Sequence, residues 1–232
     1  MKIDFTPYFK KYEDLVLKVD AAFARVKEQF PEAVKCQKGC ADCCHALFDL
    51  TLIEALYINA RFNETFTDTQ KHELLEKANK ADRKIYKIKK GAYRATQEGK
   101  NEEEVIEDVA KARIRCPLLG VNDLCDMYGA RPIACRVYGI PQAIGGKGRT
   151  CGLSGFEAGK NYPTLNMDAV NDQLMALSSE LVQDMQTRHI RMGEVIVPLS
   201  MALITDYDEA YLGIGDEKEK SDGKTDAGEK ND

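Results

Sequence analysis

Four cysteines fall within nine residues, Cys36-Gln-Lys-Gly-Cys40-Ala-Asp-Cys43-Cys44, and four more, Cys116, Cys125, Cys135 and Cys151, follow over a further 36. A packed core has no use for so much thiol in one short segment. Thiolates are soft ligands whose protons a metal ion displaces, so the pattern reads as a metal site. Two separated sets of four imply two halves of one site, or two sites. Structural zinc usually draws on two C-x2-C knuckles, and this chain has only one such pair, Cys40 and Cys43. A close triplet with remote partners is nearer to an iron-sulfur arrangement. Cys43 and Cys44 add a constraint: neighbouring side chains diverge by about 100° on a helix and about 180° on a strand. Either an irregular turn brings both to one centre, or they serve different centres, or one is a spare thiol.

The second set carries more than its spacing. It reads Cys116-Pro-Leu-Leu, then Cys125-Asp-Met-Tyr128-Gly-Ala-Arg131-Pro132-Ile-Ala-Cys135-Arg136-Val-Tyr138, and finally Cys151. With the CxxxCxxCC run before it, this order resembles the YkgJ-like cysteine-cluster proteins, a zinc- or iron-chelating family, over residues 36 to 151. Ala41 stands where many members carry glycine. The resemblance implies a largely helical domain whose cysteines hold a [4Fe-4S] cluster, with zinc as the alternative. It names no substrate, although a similar domain occurs in a flagellin lysine methylase. A four-thiolate cluster is anionic, and Arg131 and Arg136 are the cations placed to offset it by donating to sulfur or to ligand-loop carbonyls. Arg131 and Cys135 share a face if Pro132 opens a helical turn.

Weaker signals take plainer readings. The Cys36-Cys40-Cys43 spacing is also that of the radical S-adenosylmethionine motif, but the repeated strands and helices of such enzymes are missing. Cys40-Ala-Asp-Cys43 follows a helix rather than the strand that a dithiol redox motif follows. His45 adjoins the cluster as an outer neighbour, and His72 and His189 are surface residues of helices. Gly145-Gly-Lys147-Gly-Arg-Thr150 lacks the frame of a phosphate loop and reads as a flexible basic loop.

The elements that must position these residues are mostly helices. Tyr8, Tyr12, Leu15, Val19, Phe23, Val26 and Phe30 form one stripe, with Thr6 and Pro7 at its start and Pro31 at its end. Thr51 with Glu54, and Thr67 with Gln70, are capping boxes that open helices to about Phe62 and Gln97. The second of these is mostly charged and reads as a solvated cover over Leu74, Leu75, Ala78, Ala81 and Ile85. A short acidic helix follows over 101–114, and 116–163 is irregular. Helices return over 165–188 and 199–211, and Glu194-Val-Ile-Val is the best strand signal. The expected architecture is mainly α: one unit over 1–214, with core motifs at 36–151, a helical extension over 164–212 and a disordered charged tail over 215–232.

With 33 basic and 38 acidic residues the net charge is −5, which argues against a general nucleic-acid binder. No run of about 18 apolar residues occurs and the N-terminus has no secretory character, so the expectation is a cytoplasmic protein without a membrane span. There cysteines bind metal or do redox chemistry rather than form bridges. The leading reading is therefore an iron-sulfur protein with an electron-transfer, redox or oxidoreductase role and a protein or redox partner. A zinc module that presents its surface to a partner, and a protein-modifying enzyme like the methylase, are the alternatives.

Overall fold

The computed structural model describes residues 4–214. The expected tail lies outside them. Eight α-helices dominate the described residues. α1 (Thr6–Gln29) turns its stripe inward, burying Tyr8, Tyr12, Leu15, Val19 and Val26. Phe5 rather than Thr6 takes the N-cap position, and Asp4 Oδ1 accepts from Thr6 N at 2.9 Å. Both capping boxes form as their spacing requires, opening α2 (Leu52–Thr65) and α3 (Asp68–Gln97). α5 (Ile133–Val137) lies within the irregular middle of the chain, and α6 (Met167–Met185) follows it.

Two expected helices are shorter than their pattern. α4 (Glu102–Ala110) stops before Ile114, because the chain there turns extended and Arg113 pairs with Ala46. The helix expected over 199–211 is broken into α7 (Leu199–Ile204) and α8 (Glu209–Leu212). Asp208 accepts from Tyr211 N at 2.7 Å and so caps a new helix instead of continuing the old one.

Strands are short. β1 (Asp49–Thr51) pairs antiparallel with β5 (Ile196–Pro198). β2 (Gln142–Ile144) and β3 (Lys147–Arg149) form a hairpin, and β4 (Leu165–Asn166) joins β2 in parallel. The glycine loop thus forms the turn of a hairpin. Gly145 and Gly146 have φ of 57° and 72°, the left-handed pair that a tight two-residue turn demands.

Two apolar cores flank the cysteines. One joins α1, α2, α5 and α6 through Tyr12, Ile53, Ile133, Val137, Leu174 and Leu181. The other joins α2, α3 and α7 through Ile58, Phe62, Leu74, Ala78 and Leu203, and takes in Leu118 and Met127 from the cysteine region. Each fully buried side chain contributes roughly 1.5–3 kcal/mol. The irregular segment is therefore anchored on both sides, which lets its loops hold fixed positions. No helix among the described residues is long and apolar enough to cross a membrane.

Candidate metal centre

Backbone hydrogen bonds set the sulfurs. After α1 the chain passes through two turns and then closes a 3-10 turn, Asp42–His45, that carries Cys43 and Cys44. This is a tighter turn than an α-helix makes. It also answers the adjacency problem, since it is irregular enough for both thiols to face one cavity. Ile114 N donates to His45 O at 3.0 Å and Cys116 N donates to Cys44 O at 2.7 Å, so the two cysteine-bearing segments are zipped together. Asp126 N to Leu118 O at 2.9 Å and Gly120 N to Leu124 O at 2.8 Å fold Cys125 back beside Cys116.

Pro132 caps α5, which presents Cys135. Arg131 therefore lies outside that helix, not on its face. Its Nε donates to Tyr128 O at 3.0 Å and its guanidinium stacks on the Tyr128 ring at 3.6 Å. Arg131 lines the same cavities as the cysteines, and its charge favours the thiolates of Cys36, Cys43 and Cys125. Arg136 does something else: it donates to Arg131 O at 2.7 Å, to Gly129 O and to Asp20 Oδ2 at 2.7 Å. It braces the loop that carries Arg131.

The eight cysteines are all unpaired thiols, seven half-buried and Cys151 buried. Their spatial grouping crosses the sequence grouping. One cavity is lined by Cys43, Cys44, Cys116, Cys125 and Cys135, with Arg131 and an apolar wall that includes Phe48, Ile58, Leu118 and Leu199. A second, of about 350 Å³, is lined by Cys36, Cys40, Cys43, Cys135 and Cys151, with Arg131 and Arg136. Cys43 and Cys135 form the wall common to both, so across these two cavities the set sorts as three, two and three, while a third opening of about 410 Å³ is lined by Cys40, Cys43, Cys44 and Cys125 and spans both groups. Beside Cys151, whose thiol donates to Asp42 Oδ2 at 3.4 Å, Arg113 donates to the Asp42 carboxylate and carbonyl and lies near Tyr138. Among the described residues, no three cysteine, histidine, aspartate or glutamate side chains are drawn tightly enough together to hold a single ion as placed. His45 Nδ1 lies 3.0 Å from Ala41 O, as an outer neighbour would.

The proton balance follows from this crowding. The neighbouring Cys135 and Cys44 thiols, with Arg131, outweigh burial and push the Cys43 thiol well below its usual value. Hydrogen bonding to Cys43 pushes Cys135 and Cys44 up, with burial adding to the effect. Burial raises Cys116 to about 12 and, with Cys40 and Cys151 nearby, Cys36 to about 11. Burial also raises Cys125 and Cys151. Burial and crowding thus disfavour further thiolates at Cys36, Cys44, Cys116, Cys125, Cys135 and Cys151, a balance that a cation reverses. The donor set thus fits zinc or iron: grouped sulfur, shielded on one side by apolar residues and faced by a guanidinium.

Gly139 shows how closely the scaffold is fitted. A methyl group there would fall 2.0 Å from Cys36 Sγ. Gly139→Ala is expected to turn that thiol away from its cavity. Stability should fall by only about 1 kcal/mol, because the sulfur can rotate, but metal bound through Cys36 should be lost. Metal content and thermal unfolding measure the two effects. Gly152→Ala, with nothing within 4 Å of the added methyl, should change neither.

Fold and site together define a helical scaffold whose loops gather a cysteine cluster for metal chelation. The chain belongs to the CxxCxxCC family, described as a "putative zinc- or iron-chelating domain", and the match covers residues 35–152 and so takes in all eight cysteines. Neither the curated proteins nor the solved structures contain a match to it. Asp42, Arg113 and Tyr138 were not foreseen as part of the site. Asp42 lies inside the first cysteine run, but no spacing ties it to residues seventy or more positions away.

Proposed function

We propose that the eight cysteines hold two adjacent iron-sulfur centres, each a [4Fe-4S] cluster, and that the protein serves in electron transfer or redox chemistry. The observation that carries this is the three-two-three sorting of sulfurs around two cavities with a common wall. Each private trio needs one sulfur from the wall, and the wall supplies two. Cys36, Cys40 and Cys151 would serve one centre, Cys44, Cys116 and Cys125 the other, and Cys43 and Cys135 would be divided between them. Room supports a cluster over a single ion at the second cavity, whose volume of about 350 Å³ exceeds what one tetrahedral ion needs, whereas the first, of about 50 Å³, would have to open to take one.

When bound, such clusters supply one-electron couples whose potentials depend on charge, sulfur hydrogen bonds and exposure. Arg131 contributes a positive charge beside sulfurs of both trios. Phe48, Ile58, Leu118 and Leu199 keep water from one wall. Arg136, through Asp20 and two carbonyls, keeps the Arg131 loop in place.

Anaerobic purification with metal and sulfide analysis tests the proposal. A brown protein with broad absorbance near about 400 nm and sulfide matching its iron is expected. A colourless protein that carries zinc and no sulfide would sink it and leave a zinc-chelating structural module.

A further inference from the structure

We propose that the outward face of α3 is the docking surface for an acidic protein partner of the metal centre. Between Lys77 and Arg94 the helix carries eight cations and one acid, a net of +7 in a chain of net −5, so the remaining residues together carry −12. The inward face buries Leu74, Ala78, Ala81 and Ile85. Lys77, Lys80, Arg83, Lys84, Lys87, Lys90 and Arg94 are all exposed. Among the described residues only Lys80 of these seven has a carboxylate within ion-pair reach, Glu76 at 4.0 Å. Lys89, the eighth cation, is committed to Asp49 at 2.6 Å. A protein of acidic balance thus concentrates unneutralised positive charge on one face.

That charge abuts the site. Lys77, Lys80 and Lys84, at i, i+3 and i+7, share one side of the helix and extend over about 10 Å. With Arg115 they border a cleft of about 700 Å³ whose floor includes Cys116 and Pro117. Arg115 is held over it by Leu119 O at 3.1 Å and Gly120 O at 3.3 Å. Asp123 and Asp126 close the far rim, so four cations face two carboxylates. Farther along the helix, Tyr86 and Tyr93 stand 61% and 67% exposed among the cations, and exposed tyrosines with arginine are the composition of protein interfaces. An acidic partner laid on this face would be steered by charge to the thin wall over Cys116. The docking rests on the proposed function only in calling the site redox-active, because the charge and the cleft exist whichever metal is bound.

The test uses the full metal-loaded chain and a short dye-labelled polyglutamate peptide, with fluorescence anisotropy as the readout. The peptide is expected to bind at low salt and to be released at about 1 M salt, where the screening length is about 3 Å. K77E/K80E/K84E should bind it at least tenfold more weakly with unchanged metal content. K10E/K18E, which reverses charge on α1, should bind nearly as well as the parent. Equal binding by the α3 triple variant, or no binding by the parent, would overturn the proposal. So would tighter binding of an oligonucleotide of equal charge, which would make the face a nucleic-acid surface. A zinc-loaded protein that still binds the peptide through α3 would overturn the redox reading and leave the docking face standing.

Discussion

Alanine at Cys36, Cys40 or Cys151 is expected to remove roughly half of the bound iron, and alanine at Cys44, Cys116 or Cys125 to remove the other half. The reason is the grouping in space: Cys151, last in sequence, lies with the first two cysteines, and Cys44 lies with Cys116 and Cys125. Each single change leaves three sulfurs on one side and a full complement on the other. The wall behaves differently. Cys43 lines both cavities, and the Cys135 and Cys44 thiols beside it push its own thiol well below the usual value. C43A/C135A should therefore leave nearly no iron, since both centres lose their fourth ligand. Iron and sulfide per chain after anaerobic purification measure all of this. A single centre with spare thiols would show another pattern, in which one trio costs all the iron and the other costs none. That pattern would refute the two-centre arrangement while leaving iron-sulfur chemistry intact.

How much of this was legible in the sequence depended on distance along the chain. The capping boxes at Thr51 and Thr67 were readable because their signal is contained in four residues, and both formed. The stripe of α1 was readable because periodicity is local. The family resemblance was carried by the order of the cysteine motifs, and the match over 35–152 bears out the cysteine-cluster family. What sequence could not show was pairing across distance. The bond from Cys116 to Cys44 joins residues 72 positions apart, and it decides which thiols share a cavity. The same contact explains why α4 ends early: the residues after it are drawn into a bridge with Ala46, so their own helical pattern loses to a tertiary partner. Proline often opens a helix, and a turn opened by Pro132 would put Arg131 on one face with Cys135. Pro132 is instead the cap itself, and Arg131 stays extended and turns onto Tyr128.

Glu54 shows the same limit from the other side, and its removal should be the most damaging change outside the cysteines. Sequence marks it as a capping-box residue, with Thr51 N and Oγ both 3.4 Å from its Oε2. Its other oxygen accepts from Ile133 N at 3.0 Å, the first turn of the helix that presents Cys135. One buried carboxylate thus fixes the start of α2 and the start of α5 together. Glu54→Ala would leave these donors buried without partners and open a cavity, so a loss of about 2–4 kcal/mol is expected, together with loss of metal held through Cys135. Burial pushes the Glu54 carboxyl above its usual value of 4.5, against the hydrogen bonds that favour the ionised form. A carboxyl raised on folding contributes its stability fully below that usual value and loses it as pH rises through the folded value. Glu54→Gln, which cannot ionise, does not share this dependence. The advantage of the parent over E54Q should therefore be largest in acid and shrink as pH rises above about 4.5. Denaturant unfolding of the two proteins across that range measures it. An advantage that grows toward neutral pH would mean that the ionised carboxylate is the form the fold prefers, with the two helix starts holding a charge instead of a proton.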